Sequence, residues 1–340
     1  MADIAQSDLK RLTEKLLRER AVDFREYKPT TLSRRIQRRL GAANCADIEC
    51  YLKYLDQRAD EYAKLIDSIL INVTEFFRDP EAWEIIKNEV LPRIIAERRP
   101  GDQIRIWSTG CATGEEPYTA AMVLLDVLGD RANDFDIRIY ATDIDDESLS
   151  VARRGEYLDD AVKTIPESYL PRYFDKNARW CIKRDVRKLV IFGRHNLVTD
   201  TPISHSDMIV CRNVLIYMSV DLQNRILSKF HYGLQPGGYL FLGRAESLLT
   251  TSELFTPTNE RWRVFQKESP LGAAARNMAE QQAIGVAVET GGAEYQLDSL
   301  FNEAVLRLYE TATSLSAGKL SDDAACILVK TTTNRRTGNE

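Results

Sequence analysis

The stretch IRIWSTGCATGEEPYTAAM, from Ile104 to Met122, constrains the fold of this chain more than any other segment. It consists of an apolar run, a turn bounded by Gly110 and Gly114, and the start of a helix. In open α/β sheets, ligands bind outside the carboxyl ends of the strands, which is where such a turn lies. The segment therefore predicts an α/β sheet with a cofactor site at this turn.

Two acids directly after the turn, Glu115 and Glu116, bear on the class of ligand. A helix N-terminus favours phosphate through its free N–H groups and its dipole, and a carboxylate there would repel it. S-adenosylmethionine has an ammonium and a sulfonium but no phosphate. We therefore expect S-adenosylmethionine rather than NAD or a nucleoside triphosphate, and the Walker pattern GxxxxGK[ST] is absent from this turn.

Short apolar runs elsewhere in the chain predict the rest of a mostly parallel sheet covered by helices. They span residues 104–109, 137–143, 189–196, 207–213 and 237–243, and 262–267 is expected to be a last edge strand. The interval 159–192 breaks this alternation. Its period-two positions Trp180, Ile182 and Val186 predict a small antiparallel insertion.

The chain divides into three predicted parts. Residues 1–70 read as helices, residues 71–267 as the α/β domain, and residues 268–340 as a linker followed by a C-terminal helix of unknown role. Ser7 is expected to cap the first helix. The C-terminal helix is expected from an apolar face at Leu297, Phe301, Leu308 and Leu315.

A helix in the first part combines an apolar stripe with four arginines. Leu32, Ile36 and Leu40 form the stripe. The arginines beside it are Arg34, Arg35, Arg38 and Arg39. Residues 1–40 carry eleven Lys and Arg against six Asp and Glu, a local +5 in a chain of net charge −5. This asymmetry suggests an acidic partner, although a solvated helix face explains the charges equally well.

Composition excludes several classes of function. No apolar run approaches the roughly 18 residues that span a bilayer, and the N-terminus has no signal-peptide pattern. The six cysteines lack CxxC spacing and there are only three histidines. We expect a cytoplasmic protein with reduced thiols, no membrane insertion and no metal site.

The second strand ends in ATDID, which places Asp143 at its carboxyl end. An acid at this position accepts hydrogen bonds from ribose hydroxyls in dinucleotide folds. We therefore expect Asp143 to bind the ribose. Asp145 is expected to cap the helix that follows.

Six separated motifs together resemble the chemotaxis receptor methyltransferases, the CheR family, over about residues 5–267. They are YKPTTLSRRIQRRL, INVTEFFRD, WSTGCATGEEPYTAAM, ATDID, GRHNL and CRNVLIYM. The resemblance implies a class I S-adenosylmethionine methyltransferase fold, Rossmann-like with a mostly parallel sheet. It also implies an all-helical N-terminal domain and a small antiparallel β insertion.

The resemblance implies S-adenosylmethionine-dependent methylation of glutamate side chains on chemoreceptors, giving methyl esters, with S-adenosylhomocysteine as the product. It implies that Tyr217 and Arg78 act at the transferred methyl group, Arg78 also binding the cofactor. The other cofactor-binding residues that it implies are Asn72, Thr74, Glu115, Asp143, Asn196, Leu197, Asn213 and Val214. Glu116 is expected to serve only the first turn of its helix.

Charge complementarity with receptor helices rich in Glu and Gln makes the four arginines candidates for receptor docking. The insertion loop FDKNARWCIKRDVRK is short and lacks glycine, so we expect independence from a C-terminal receptor pentapeptide. A nucleic-acid methyltransferase is disfavoured because RNVLIY replaces the N/D-PP-Y pattern after the fourth strand. A regulatory module that binds S-adenosylmethionine and signals through the C-terminal helix is a remaining alternative.

Overall fold

The computed structural model describes residues 4–246 and 254–268. Its first part is helical. The helices are α1 (Gln6–Arg20), α2 (Pro29–Ala42), α3 (Ile48–Gln57) and α4 (Ala59–Leu70). Their apolar faces enclose a core that includes Leu12, Leu16 and Ile36. The prediction that Ser7 caps α1 is wrong, because the carbonyl of Ala5 already accepts the N–H groups of Asp8 and Leu9.

The remaining described residues form an α/β domain. Its helices are α5 (Pro80–Ile85), α6 (Leu91–Ala96), α7 (Glu115–Leu128), α8 (Asp146–Arg154), α9 (Leu170–Tyr173), α10 (Arg184–Arg187) and α11 (Val220–Gly233). Its strands are β1 (Gln103–Thr109), β2 (Asp136–Asp143), β3 (Glu156–Tyr157), β4 (Phe174–Lys176), β5 (Trp180–Ile182), β6 (Val190–Arg194), β7 (Ser206–Cys211), β8 (Leu234–Leu242), β9 (Phe255–Asn259) and β10 (Val264–Lys267).

Seven of these strands form one sheet in the order β6-β2-β1-β7-β8-β10-β9. The first five run parallel, as predicted, and β10 is antiparallel to both of its neighbours. The prediction that residues 262–267 form the edge is wrong, because β9 pairs outside β10. Pro257 in β9 fits this position, since proline lacks the N–H that an inner strand must donate.

The predicted antiparallel insertion is present as a separate three-stranded sheet in the order β3-β5-β4. It begins at Glu156, slightly before the predicted residue 159. It ends before Val190, because β6 already belongs to the large sheet, where Tyr140 pairs with Ile191. The small sheet packs onto the main core through Phe174, which meets Phe76 edge to face.

Two apolar layers cover the faces of the large sheet. Ile104 and Ile106 of β1 face the layer that contains α7, whereas Trp107 faces the layer that contains α11. This alternation follows from the period of two along a strand. None of the helices in the described ranges is long and apolar enough to cross a membrane. The predicted C-terminal helix lies outside the described residues.

Candidate active site

A cleft opens at the carboxyl ends of β1, β2, β6 and β7, where the glycine turn led us to expect a ligand. Its empty volume, including its open mouth, is about 1140 Å³. Nine of the ten residues predicted to bind the cofactor or act in catalysis line it: Asn72, Thr74, Arg78, Asp143, Asn196, Leu197, Asn213, Val214 and Tyr217. They come from four separate segments of the chain, so the fold brings together what the sequence keeps apart.

The glycine turn is shaped for close approach of its backbone. Gly110 has φ +68°, and a Cβ on it would lie 2.5 Å from Cγ2 of Val214. Gly114 has φ +98°, and a Cβ there would lie 2.9 Å from Cβ of Ala152. Any other residue would be strained at both positions. The two glycines therefore keep the turn against its neighbours and leave the cleft open.

Asp143 fixes the same turn from β2. Its Oδ2 accepts the N–H of Ala112 at 2.8 Å, and its Oδ1 accepts the N–H of Asp145 at 3.0 Å. Burial raises the pKa of this carboxyl, and the backbone hydrogen bonds oppose that shift. Each carboxylate oxygen has a second lone pair, so Asp143 can still accept hydrogen bonds from a ligand. The predicted cap is also present, since Asp145 accepts the N–H of Glu147.

The structure assigns the two acids after the turn differently from the sequence prediction. Glu116 lines the cleft, and its carboxylate accepts a hydrogen bond from Ser108 Oγ at 2.8 Å. Glu115 is buried outside the cleft wall, where Thr113 Oγ1 donates to its carboxylate at 2.7 Å. Glu115 is therefore absent from the lining of this cleft, and its cofactor contact stays a prediction from the sequence. The helix begins at Glu115, and only the next residue turns towards the ligand side.

A buried arginine that the sequence analysis did not single out lies beside Glu116. Arg212 follows β7, lines the cleft, and forms an ion pair with Asp79. Its Nη1 donates to the carbonyl oxygen of Arg78 at 2.8 Å. The segment carrying Arg78 is thus attached to the end of β7.

The loop after β6 is held by Lys229 of α11. Its ammonium donates to the carbonyl oxygens of Leu197 at 3.3 Å, Val198 at 2.7 Å and Asp200 at 3.0 Å. Burial lowers the pKa of Lys229. Three acceptors around one ammonium fix the backbone of Leu197, a residue predicted to bind the cofactor.

His195 precedes Asn196 and Leu197, two residues predicted to bind the cofactor, and its side chain contacts other parts of the protein. Its Nε2 lies 2.9 Å from the carbonyl oxygen of Thr201, and its ring meets Trp107 edge to face. His195 is therefore held by contacts to the loop after β6 and to β1.

The helical domain contributes directly to the cleft. Tyr27 lines it, and burial raises the pKa of its hydroxyl. The N–H of Lys28 donates to the carbonyl oxygen of Tyr217 at 2.8 Å, and Tyr27 pairs with Met218 as an isolated β-bridge. The start of α2 is therefore attached to the turn that carries Tyr217. Tyr27 was missed because an aromatic residue before a helix carries no signal of its own.

The four arginines of α2 do not form one docking surface. Arg34 and Arg38 are exposed, whereas Arg35 is partly buried on the side of Tyr217. Arg39 binds the buried carboxylate of Glu61 through Nε at 2.9 Å and Nη2 at 2.7 Å. Arg39 is therefore engaged inside the helical domain, and its docking role stays a prediction. Glu61 is 2% exposed, so it requires this counter-charge inside the helical domain.

The charges of the wall fit a zwitterionic ligand. The carboxyls that line the cleft are those of Glu75, Glu116 and Asp143, and the guanidiniums are those of Arg78 and Arg212. A ligand with a row of phosphates would meet acids at the helix start, where a phosphate site offers free N–H groups. The amino-acid end of S-adenosylmethionine has one ammonium and one carboxylate, and it matches this mixed set.

Comparison with known proteins agrees with this geometry. Residues 7–70 match the model for the CheR methyltransferase all-alpha domain, and residues 72–264 match that for the CheR methyltransferase SAM binding domain. The chain is 33% identical over 249 residues to a chemotaxis protein methyltransferase of Listeria monocytogenes, covering 73% of this chain and 93% of that protein. A protein of the same name from Borreliella burgdorferi is 30% identical over 254 residues, covering 72% and 90%.

A third relative is much longer than this chain. It is an uncharacterized 104.1 kDa protein of Rhodobacter capsulatus, 36% identical over 267 residues that cover 78% of this chain and 28% of the relative. In all three relatives the match covers most of this chain. With its helical domain, mostly parallel sheet and S-adenosylmethionine-binding domain, this chain belongs to the CheR methyltransferase family.

Proposed function

We propose that this protein transfers the methyl group of S-adenosylmethionine to glutamate side chains of chemoreceptors, giving methyl esters that serve chemotactic adaptation. The observation that carries the proposal is the meeting of Tyr217, Arg78 and the predicted cofactor residues in one cleft, with the basic helix α2 attached at Tyr217. The chemotaxis methyltransferases among the relatives support the substrate class.

The chemistry requires little from the protein beyond positioning. A glutamate carboxylate is ionised near neutral pH, since its unperturbed pKa is about 4.3, so no general base is needed. Bound S-adenosylmethionine supplies a methyl group activated by its sulfonium. Alignment of the acceptor oxygen about 3–3.5 Å from the reacting carbon can account for about 7–11 kcal/mol of the barrier.

Tyr217 and Arg78 are the residues that we assign to this alignment. Both line the cleft, and Tyr217 is half-buried in a short turn whose backbone is held by Lys28. The hydroxyl of Tyr217 orients the acceptor carboxylate. The guanidinium of Arg78 holds a carboxylate in the cleft, either that of the acceptor or that of the cofactor.

Receptor docking is assigned to Arg34, Arg38 and Arg35 of α2. Arg34 and Arg38 are exposed and long, which suits attraction to an acidic helical surface. The charge of Arg35 interacts with Tyr217, which lines the cleft. Independence from a receptor pentapeptide and a cytoplasmic location remain predictions from the sequence.

The docking assignment is tested with Arg34→Glu and Arg38→Glu in a methyl-transfer assay on receptor-containing membranes across a salt series. We expect slower methylation, a weaker salt dependence than that of the wild type, and unchanged affinity for S-adenosylhomocysteine. Arg93→Glu at an exposed position of α6, which makes the same change of charge on another helix, is the control for each variant. Unchanged methylation by the α2 variants would place docking elsewhere.

A further inference from the structure

A group of four charged side chains lies at the cleft; three of them line its wall, and the fourth forms an ion pair with one of these three. They are Arg78, Asp79, Glu116 and Arg212, and we refer to them as the Arg212 cluster. The side chain of Arg212 is 2% exposed. Such deep burial of a guanidinium is costly unless its partners are fixed, so the contacts of Arg212 indicate what it is there to hold.

The contacts of Arg212 converge on the backbone next to Arg78. Nη1 donates to the carbonyl oxygen of Arg78 at 2.8 Å, and Nη2 binds the carboxylate of Asp79. On the other side, the guanidinium carbon lies 4.7 Å from the ring centroid of Phe241 in β8. Arg212 thus links the sheet to the segment that carries Arg78.

That segment requires an external restraint. Phe77 has φ +50° and Asp79 has φ +55°, so a non-glycine residue on each side of Arg78 lies in the left-handed region. Such residues are unfavourable and persist where surrounding structure fixes them. Phe77 is fixed by the hydroxyl of Thr119, which accepts its N–H at 3.2 Å. Asp79 is fixed by Arg212, and Arg78 is thereby held in the cleft wall.

The charge of Arg212 also acts on Glu116, one of the three acids of the cleft wall. Burial raises the pKa of Glu116 to about 7, and the charges of Arg212 and Arg78 oppose that rise together with the hydrogen bond from Ser108. Glu246, which favours the protonated form, also interacts with it, as do the thiols of Cys111 in the turn and Cys211 at the end of β7. Arg212 is the first of the groups that favour the carboxylate form.

We propose that Arg212 is a positioning residue for the amino-acid end of the cofactor. It holds Arg78 where its guanidinium meets the cofactor's carboxylate, and it presents the Glu116 carboxylate to the cofactor's ammonium. The proposal rests on the proposed function only through the use of S-adenosylmethionine, and it does not depend on which acceptor is methylated. It predicts that Arg212 sets the preference for ligands that have an amino-acid end.

Two ligands measure the contribution of the amino-acid end to binding, because both have a neutral sulfur and the same nucleoside. S-adenosylhomocysteine has the amino-acid end, and 5′-methylthioadenosine lacks it. Their affinities are measured by calorimetry for the wild type, Arg212→Met and Arg212→Lys. Arg98→Met is the matched control, since Arg98 forms an ion pair with the buried Asp207 at the opposite end of β7.

For Arg212→Met we expect the Kd of S-adenosylhomocysteine to rise about tenfold or more, and that of 5′-methylthioadenosine to change less than about twofold. The pH at which S-adenosylhomocysteine affinity increases should move upwards, because Glu116 loses its main counter-charge. Arg212→Lys should recover part of the affinity. A ratio of two affinities is insensitive to the folded fraction, so a loss of stability does not obscure the result.

Equal losses of affinity for both ligands, or the same change in the ratio of the two affinities in Arg98→Met, would overturn the positioning role. Either result would leave the proposed function intact. An unchanged pH dependence in Arg212→Met would contradict the link to Glu116. If the wild type failed to bind S-adenosylhomocysteine, the proposed function and this inference would both fall.

Discussion

The carboxylate of Glu246 accepts a hydrogen bond from the backbone N–H of Val214 at 2.9 Å. The same carboxylate accepts the N–H groups of Leu215 at 2.9 Å and Asn213 at 3.1 Å, and that of Gly243. Asn213 has φ +61°, so the turn after β7 exposes consecutive donors that need an acceptor. One buried acid from beyond β8 thus fixes the turn that leads to Tyr217.

Glu246→Gln should destabilise the fold and weaken cofactor binding together. The amide has one acceptor oxygen, and its NH₂ group would face backbone donors. Unsatisfied buried groups of this kind cost about 1–3 kcal/mol each. Urea unfolding and calorimetry with S-adenosylhomocysteine measure the two effects. Exposed Glu260→Gln is the control, and equal stability of the two variants would show that this carboxylate does not hold the turn.

Glu116→Gln should alter the pH dependence of stability. The folded protein raises the pKa of Glu116 from 4.5 to about 7, chiefly by burial. The folded state therefore holds this proton more tightly than the unfolded state. The resulting contribution to the stability of the folded state is full below pH 4.5 and is lost as pH rises through about 7.

A neutral glutamine avoids this loss. Relative to the wild type, the variant should gain stability between pH 5 and pH 8, by up to about 3 kcal/mol without ligand. Thermal unfolding at a series of pH values measures the difference. The same variant should bind S-adenosylhomocysteine more weakly, because it cannot offer a carboxylate to the ammonium. A stability difference that stays constant with pH would contradict the raised pKa.

Arg39→Met should destabilise the helical domain without a direct effect on receptor docking. It removes the partner of buried Glu61, whose carboxylate also accepts the hydroxyl of Tyr51 at 2.7 Å. Breaking a buried pair from one side costs about 3–5 kcal/mol. Exposed Arg38→Met should change stability by less than about 0.5 kcal/mol. Chemical denaturation compares the two variants, and similar stabilities would mean that Glu61 does not depend on Arg39.

Asp143→Ala should raise the Kd of S-adenosylhomocysteine for two reasons. It removes an acceptor in the cleft, and it releases the N–H of Ala112 in the glycine turn. A loss of about 10–100-fold, or about 1.4–2.7 kcal/mol, corresponds to one hydrogen bond between the ligand and a charged group. Calorimetry measures the affinity, with the exposed neighbour Asp146→Ala as the control. Unchanged affinity would show that the ribose does not lie at Asp143.

Local pattern explains why much of the fold could be predicted. Short apolar runs indicated the parallel strands, and nine of the ten site residues predicted from separated motifs line the cleft. The strand β9 was not predicted because it contains Pro257. A strand pattern that contains proline reads as a loop unless its edge position is known. Similarly, 262–267 looked like an edge only because its outer partner had not been identified.

Other features of the site could not be distinguished from the sequence, for a different reason. Glu115 and Glu116 are adjacent acids, and only the exact start of α7 decides which one faces the cleft. Arg34, Arg35, Arg38 and Arg39 look alike in sequence, yet Arg39 has a buried partner 22 residues away. Arg212, Glu246 and Lys229 act on backbone atoms of distant segments. Such contacts leave no periodic signal, so they emerge only from the three-dimensional structure.

The central claim is methyl transfer to receptor glutamates, and the most direct measurement is mass-spectrometric mapping of methyl groups on receptor incubated with the protein and S-adenosylmethionine. We predict base-labile methyl esters on glutamate residues of the receptor's helical cytoplasmic region, strongly reduced with Tyr217→Phe although that variant still binds S-adenosylhomocysteine. Base-stable methyl groups, or label on nucleic acid and none on receptor, would contradict the account.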